Sequence, residues 1–383
     1  MMNKSKIGVL FLAATFLAFA NIYAQETAQE AFDRGGENFT SGKYDEAIID
    51  YTKAIELRPN AAKAYNNRGL VYYVKGNFDQ AILEYTKAIE ISPNFAGSYY
   101  CRGIVYNTKG NFDQAISDFN KSIELNPHQS DAYFYRGVTY KTKGNFLKAI
   151  SDLSVAIELN PKDYMSYYNL GLTHNATGNF LEAILDYTKA IELKPNFSES
   201  YRERGISYRT AGDFDRAILD FTKAIELSPN DARSYSDRGL AYDVKSNFDQ
   251  AILDHTKAIE LNPNDAQAYS YRGVAYQGKG SFEQAISDFA KAIELNPNNN
   301  YAYFCRGLTY QGKGDFDRAI SDLNVAIELE PKVPRTYYYR ASAYYSKKEY
   351  AKAWDDVHKV ESLGGKVELD FLEKLKKASG REN

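Results

Sequence analysis

The 34 residues from Ala62 to Phe95, AKAYNNRGLVYYVKGNFDQAILEYTKAIEISPNF, carry two apolar stripes. Tyr65, Gly69 and Tyr72 fall at the fourth, eighth and eleventh places, which share one face of a helix. Phe78, Ala81, Tyr85 and Ala88 make a second stripe of the same period. Between them Gly76 can end the first helix in the left-handed conformation, and Asn77 with Gln80 has the form of a capping box that opens the second. Pro93 stops the second helix. The pattern predicts two antiparallel helices joined by a tight turn. Gly69 and Ala81 are small where the helices must approach, and Tyr65, Tyr72 and Tyr85 fill the space around them.

The pattern recurs without insertion. Pro59, Pro93, Pro127, Pro161, Pro195, Pro229, Pro263, Pro297 and Pro331 stand 34 residues apart, and only Pro334 lies outside the series. One helix pair cannot bury its apolar faces, whereas stacked pairs can, so a strict period of this length predicts an array. Repeats start at residues 28, 62, 96, 130, 164, 198, 232, 266, 300 and 334, and the array runs over 25–367. Residues 368–383 read as a capping helix and tail, with Leu369, Phe371, Leu372 and Leu375 on or near one face to seal the end of the stack.

These residues resemble the tetratricopeptide repeat over roughly 28–367, in ten copies. The large aromatic at position 4, Gly at 8, Tyr at 11, Ala at 20, aromatic or Leu at 24, Ala at 27 and Pro at 32 all match. The resemblance implies an all-α fold, a right-handed superhelical solenoid of antiparallel helix pairs. The chain departs from the family at position 4, where Tyr65 and its equivalents stand for the frequent Trp. It departs again at position 7, where Arg68, Arg102, Arg136, Arg204 and Arg238 stand for Leu, while position 23 is always acidic, as in Glu84, Asp118, Asp152, Asp220 and Asp254. An arginine–carboxylate pair between the two helices is expected. Leu170 takes the arginine's place in the fifth repeat, so Asp186 is expected to lack that partner. The ends differ as caps should: Ala31 and Asn38 replace tyrosines in the first repeat, and Lys348 replaces the turn glycine in the last. Ser246 replaces the turn glycine of the seventh.

Composition narrows the function classes. Of 383 residues 44% are apolar and 25% charged, ordinary for a folded chain, and the formal net charge of −3 gives no reason to expect nucleic acid or an anionic membrane as partner. There are 33 tyrosines against one tryptophan, which the repeat accounts for. The first 24 residues differ from the rest: two lysines, the apolar run IGVLFLAATFLAFA, then small residues, the form of a secretory signal peptide. Cleavage is expected after Ala24, with Ala20 as competitor and an uncleaved anchor as the alternative. The run is short for a membrane span of ~20 residues. Loss of Lys4 and Lys6 leaves 45 basic against 50 acidic residues. Cys101 and Cys305 stand six repeats apart, too far to bond within one chain.

No catalytic, cofactor or metal site is expected. His128, His174, His255 and His358 occupy different positions of different repeats without metal-ligand spacing, and His174 and His255 replace packed aromatics. No GxGxxG, GxxxxGK or GxSxG occurs. The carboxylates recur with the period, as a solvated surface does.

In the resembled family the first helices line the concave side, and positions 2, 5, 9 and 12 face inward. Position 5 here supplies Tyr100, Phe134 and Tyr168, then Phe304 and Tyr338, and between them lie Arg202, Arg209 and Arg233. Aromatics and arginine are common interface anchors, so these eight residues are the candidate peptide-binding groove. The Lys/Asn clamp by which some members hold acidic tails is absent, since Phe32 and Gly36, or Phe134 and Val138, stand where it needs Lys and Asn. The expected function is an exported scaffold, periplasmic, envelope-associated or secreted, that holds a protein or peptide ligand without cofactor or enzymatic activity. The alternatives are a self-associating structural protein of the envelope and a non-catalytic regulatory partner of an envelope enzyme.

Overall fold

A computed structural model describes residues 27–380, so the expected leader over 1–24 lies outside the described residues. The described residues are all helical, with 21 helices and no strand. They form two compact bodies that meet in sequence between Thr177 and Gly178. The first holds four helix pairs, α1 (Ala28–Thr40) with α2 (Tyr44–Leu57), α3 (Ala62–Val74) with α4 (Phe78–Ile91), α5 (Ala96–Thr108) with α6 (Phe112–Leu125) and α7 (Ser130–Thr142) with α8 (Phe146–Leu159), followed by α9 (Tyr164–Ala176). The second opens with α10 (Phe180–Leu193). Five pairs follow, α11 (Ser198–Thr210) with α12 (Phe214–Leu227), α13 (Ala232–Val244) with α14 (Phe248–Leu261), α15 (Ala266–Gly278) with α16 (Phe282–Leu295), α17 (Asn300–Gly312) with α18 (Phe316–Leu329) and α19 (Pro334–Ser346) with α20 (Tyr350–Ser362). Helix α21 (Leu369–Ser379) ends the body.

The small residues set how near two helices come. A Cβ built on Gly103 would lie 2.7 Å from the Phe119 ring, so α5 and α6 pack at a separation that only glycine permits there. The turn between them closes with Gly110 at φ 78°, and the next amide, Asn111, donates back to the carbonyl of Tyr106 over 2.8 Å. Ser246 and Lys348 adopt this conformation too, at φ 58° and 64°, so the turn survives the loss of its glycine. Asn77 stands at the head of α4, but its side chain makes no capping bond; the complete capping box among the described residues is Thr27 with Glu30. The backbone permits the bond: Asn247, at the equivalent place with ψ 68° against 67° at Asn77, accepts from the Gln250 amide.

Each expected arginine–carboxylate pair within a body is present and bidentate. Arg136 donates from Nε and Nη2 to the two oxygens of Asp152, both over 2.7 Å. Its remaining Nη1 donates to Asn120 of the preceding repeat over 2.6 Å. Arg238 does the same, reaching Asp254 over 2.8 and 2.7 Å and Thr222 of the preceding repeat over 3.0 Å. Arg102 also lies between the rings of Tyr99 and Tyr106, at 5.8 and 5.9 Å, in cation–π contact with both. The tyrosines at positions 4 and 11 therefore pack the guanidinium as well as the stack. In the first repeat Arg34 pairs with Asp50, and Asn38 adds a 2.7 Å bond to the same carboxylate. Leu170 gives the fifth repeat no arginine, yet Asp186 is not without an interaction.

A second ladder runs along the turns. Lys75 pairs with Asp45, Lys109 with Asp79, Lys143 with Asp113, and Lys245, Lys279, Lys313 and Lys347 pair likewise with the acid 30 residues before them. These acids are exposed, so each pair contributes about 0–1 kcal/mol. At the C-terminus Phe371 and Leu375 of α21 are buried against Trp354 and Val357, and the Trp354 indole donates to Ser379 over 3.1 Å. Cys101 and Cys305 are free thiols, and burial pushes both up to about 11.

Two outcomes follow from this packing. In a double-mutant cycle on Arg136 and Asp152, each single replacement by Met or Asn leaves a buried charge unpaired and lowers stability by roughly 3 kcal/mol. The double variant falls short of the sum by about 2 kcal/mol, and additive losses in urea unfolding would refute the coupling. Ser246→Gly raises stability by about 1 kcal/mol, because glycine carries no left-handed penalty; no Cβ contact is lost at the equivalent glycines, which face open space.

Candidate functional site

Consecutive first helices touch through a recurrent rule. Positions 5 and 12 of one repeat meet position 6 of the next. Tyr100 reaches Tyr135 with ring centroids 5.9 Å apart, Lys141 donates to Asn169 over 2.7 Å, Arg202 pairs with Asp237 at 2.8 Å, and Phe304 meets Tyr339 at 5.6 Å. Position 6 was not among the candidate groove positions. Its residues change class from repeat to repeat, which hides them from a reading of periodicity.

In the first body the candidates Tyr100 and Phe134 are half-buried, and Tyr135 joins them. The Tyr135 ring stands edge-on to Phe134 at 5.1 Å and stacks on Phe119 at 6.3 Å, so the cluster is rooted in the core of its repeat. Burial, and after it the Asp131 carboxylate, pushes the Tyr100 hydroxyl well above the usual tyrosine range. Tyr168, on α9, is half-buried.

In the second body the arginines differ in their surroundings. Arg202 is held between Glu203 at 3.0 Å and Asp237 at 2.8 Å. The Arg202–Asp237 contact is an ion pair whose N–H is not aimed along it, so neither Nε nor Oδ2 gains an aligned hydrogen bond. Arg209 approaches Asp237 at 3.6 Å, with its Nε unpartnered. Burial raises the Asp237 carboxyl in spite of both arginines. Arg233 is exposed and pairs with Asp231 at 3.0 Å, within electrostatic reach of Glu203 and Asp237. Phe304 is buried in the core with Cys305 and Leu323, and Tyr338 packs on Phe371 of α21 at 5.6 Å. These last two rings are thus engaged by the fold itself.

His255 fills the aromatic position of the seventh repeat and is fully buried over Gly239. Its Nε2 lies 3.0 Å from Asp243 Oδ2, while Nδ1 has no partner. Among the described residues no cluster of three potential metal ligands occurs, and no helix is long and apolar enough to cross a membrane.

Sequence profiles described as "Tetratricopeptide repeat" match residues 96–129, 119–151, 164–197, 198–231, 232–265, 266–299, 289–321 and 306–357, and one described as "TPR repeat" matches 37–76 and 69–110. The chain belongs to the tetratricopeptide-repeat family. No curated protein matches it. Among solved structures it is similar to a tetratricopeptide repeat protein from Parabacteroides merdae, 22% identical over 65% of this chain and 98% of that one, with a TM-score of 0.49. It is similar also to a MamA protein, 32% identical over 43% of this chain and 96% of that one at a TM-score of 0.41. A third is YrrB, described as a TPR protein with an unusual peptide-binding site, 24% identical over 48% of this chain and 95% of that one at 0.43. Membership of this family supports a scaffold for protein–protein interaction.

In this tetratricopeptide-repeat chain His255 is the one buried imidazole among the described residues, standing where equivalent repeats have Phe119, Phe221 and Phe289 over their glycines. His255→Phe keeps the packing but leaves the largely buried Asp243 carboxylate without a hydrogen-bond partner, so it lowers the urea midpoint by roughly 1–3 kcal/mol equivalent. A higher midpoint would mean that removing the unpartnered Nδ1 outweighs the bond to Asp243.

Proposed function

We propose that the chain is an exported scaffold that holds an extended peptide or helix of a protein partner on the face made by its first helices. The observation that supports this reading is an internal contrast. Positions 7, 8, 20 and 23, which fix the helix pairs, hardly change from repeat to repeat, whereas positions 2, 5, 6 and 12 range over aromatic, basic, acidic, amide and small residues in no fixed order. A constant frame with a varied face is what recognition of one particular partner needs, because specificity is a difference of affinities set by particular side chains. The half-buried aromatics and arginines on that face are of the kind that anchors interfaces.

Export rests on the N-terminal sequence and places the partner in the envelope or outside it. End-to-end self-assembly is the weaker reading, since α21 covers the last helix pair with Phe371 and Leu375 and removes the surface such growth would use.

Capture of partners from native envelope on mature protein, residues 25–383, tests the proposal against a variant with Tyr100, Phe134 and Tyr168 changed to Ala. Circular dichroism establishes that the variant is folded. A partner held by the wild type and lost from the folded variant is the expected result. Equal retention would move the site off these rings.

A further inference from the structure

Two places on the first-helix face are built alike and differ in one charge. In the second body Phe304, at position 5 of the ninth repeat, meets Tyr339, at position 6 of the tenth, with centroids 5.6 Å apart and planes at 71°. Arg335, at position 2 of the tenth repeat, lays its guanidinium over both, 5.1 Å from the Phe304 ring and 5.5 Å from the Tyr339 ring. In the first body Tyr100, at position 5 of the third repeat, meets Tyr135, at position 6 of the fourth, with centroids 5.9 Å apart and planes at 67°. Position 2 of that fourth repeat is Asp131. The arrangement of the rings is alike, with Tyr100 in the place of Phe304; the cation that the chain supplies in one body is replaced by a carboxylate in the other.

Asp131 is exposed and forms no ion pair with any described residue. Of the two cations on the same helix, Arg136 is bonded to Asp152 and Lys141 donates to Asn169 over 2.7 Å. Burial first, then the neighbouring Tyr73 hydroxyl and the Asp131 carboxylate, raise the Tyr135 hydroxyl, so the rings stay neutral and present electron-rich faces beside a negative charge. Such a pair of rings attracts a cation by its quadrupole, and the adjacent carboxylate adds Coulomb attraction to the same guest.

We propose that the Tyr100–Tyr135 pair with Asp131 is a subsite for one lysine or arginine side chain of the bound peptide, seated as Arg335 is seated over Phe304 and Tyr339. This rests on the reading of the first-helix face as a peptide groove. The ligand is thereby a peptide with a basic residue at a fixed register, and Asp131 is the residue that selects it.

The test is selection from a phage-displayed random dodecapeptide library on the wild-type protein and on Asp131→Arg and Arg335→Asp. Both positions are exposed; Asp131→Arg touches no core residue, while Arg335→Asp uncovers the Phe304 ring, so circular dichroism checks that variant's fold. Wild type should enrich Lys or Arg at one register. Asp131→Arg, which supplies its own cation, should lose that preference and keep the others, and a labelled selected peptide should bind it about fivefold or more weakly. Replacing the peptide's basic residue by Ala should then weaken binding to wild type and have no further effect on Asp131→Arg. Arg335→Asp should gain a second basic preference. Selected peptides with no fixed basic residue, or a basic preference unchanged in Asp131→Arg, would overturn the subsite while leaving the groove. No enrichment of any peptide on wild type would overturn the groove and the subsite with it.

Discussion

The array depends on one side chain used in three directions. The position-7 arginine binds both oxygens of the position-23 carboxylate in its own helix pair, reaches a hydroxyl or amide of the preceding repeat, and is packed between two tyrosines. A guanidinium carries five donors in a fixed planar fork and stays charged, which suits it to a half-buried place where lysine would not serve. Burying the pair is costly, and the bidentate bond to the carboxylate offsets that cost, with the bond to the preceding repeat adding to it where an acceptor is present. Where the third acceptor is missing the pattern confirms its source: Arg306 keeps its two bonds to Asp322, and the preceding repeat offers Ala290 where others have Thr or Asn.

Much of the frame was legible from residue type and spacing. Glycine over a ring, glycine at a turn and an arginine sixteen residues before an acid each have one physical use, and each recurs often enough to be read. The bond from the arginine to the preceding repeat was not legible, because its acceptors, Thr52, Thr86 and Asn120, look like ordinary surface residues of the second helices. Nor was it legible which repeats make the capping bond, since Asn77 and Asn247 share residue type and backbone conformation and Asn247 alone of the two accepts from an amide.

The binding face was legible only in part. Position 5 can be found by helical spacing, and Tyr100 and Phe134 do lie on one cluster with Tyr135. Which of those rings the fold has already used cannot be found that way. Phe304 is covered by Arg335, and Tyr338 by Phe371 from a helix outside the period. Spacing reports which residues share a face, whereas occupancy depends on neighbours from the next repeat, and those vary. The same division carries the account of function: invariant positions hold the helices, and the varied ones are left to meet something else.

Native-state hydrogen exchange of Arg238→Met tests most directly whether the arginine joins repeats as well as helices. Arg238 bonds Asp254 in the seventh repeat and Thr222 in the sixth. The account predicts that amides of α12 lose protection together with those of α13 and α14. Loss confined to α13 and α14 would contradict it and would reduce the arginine to a link within one helix pair.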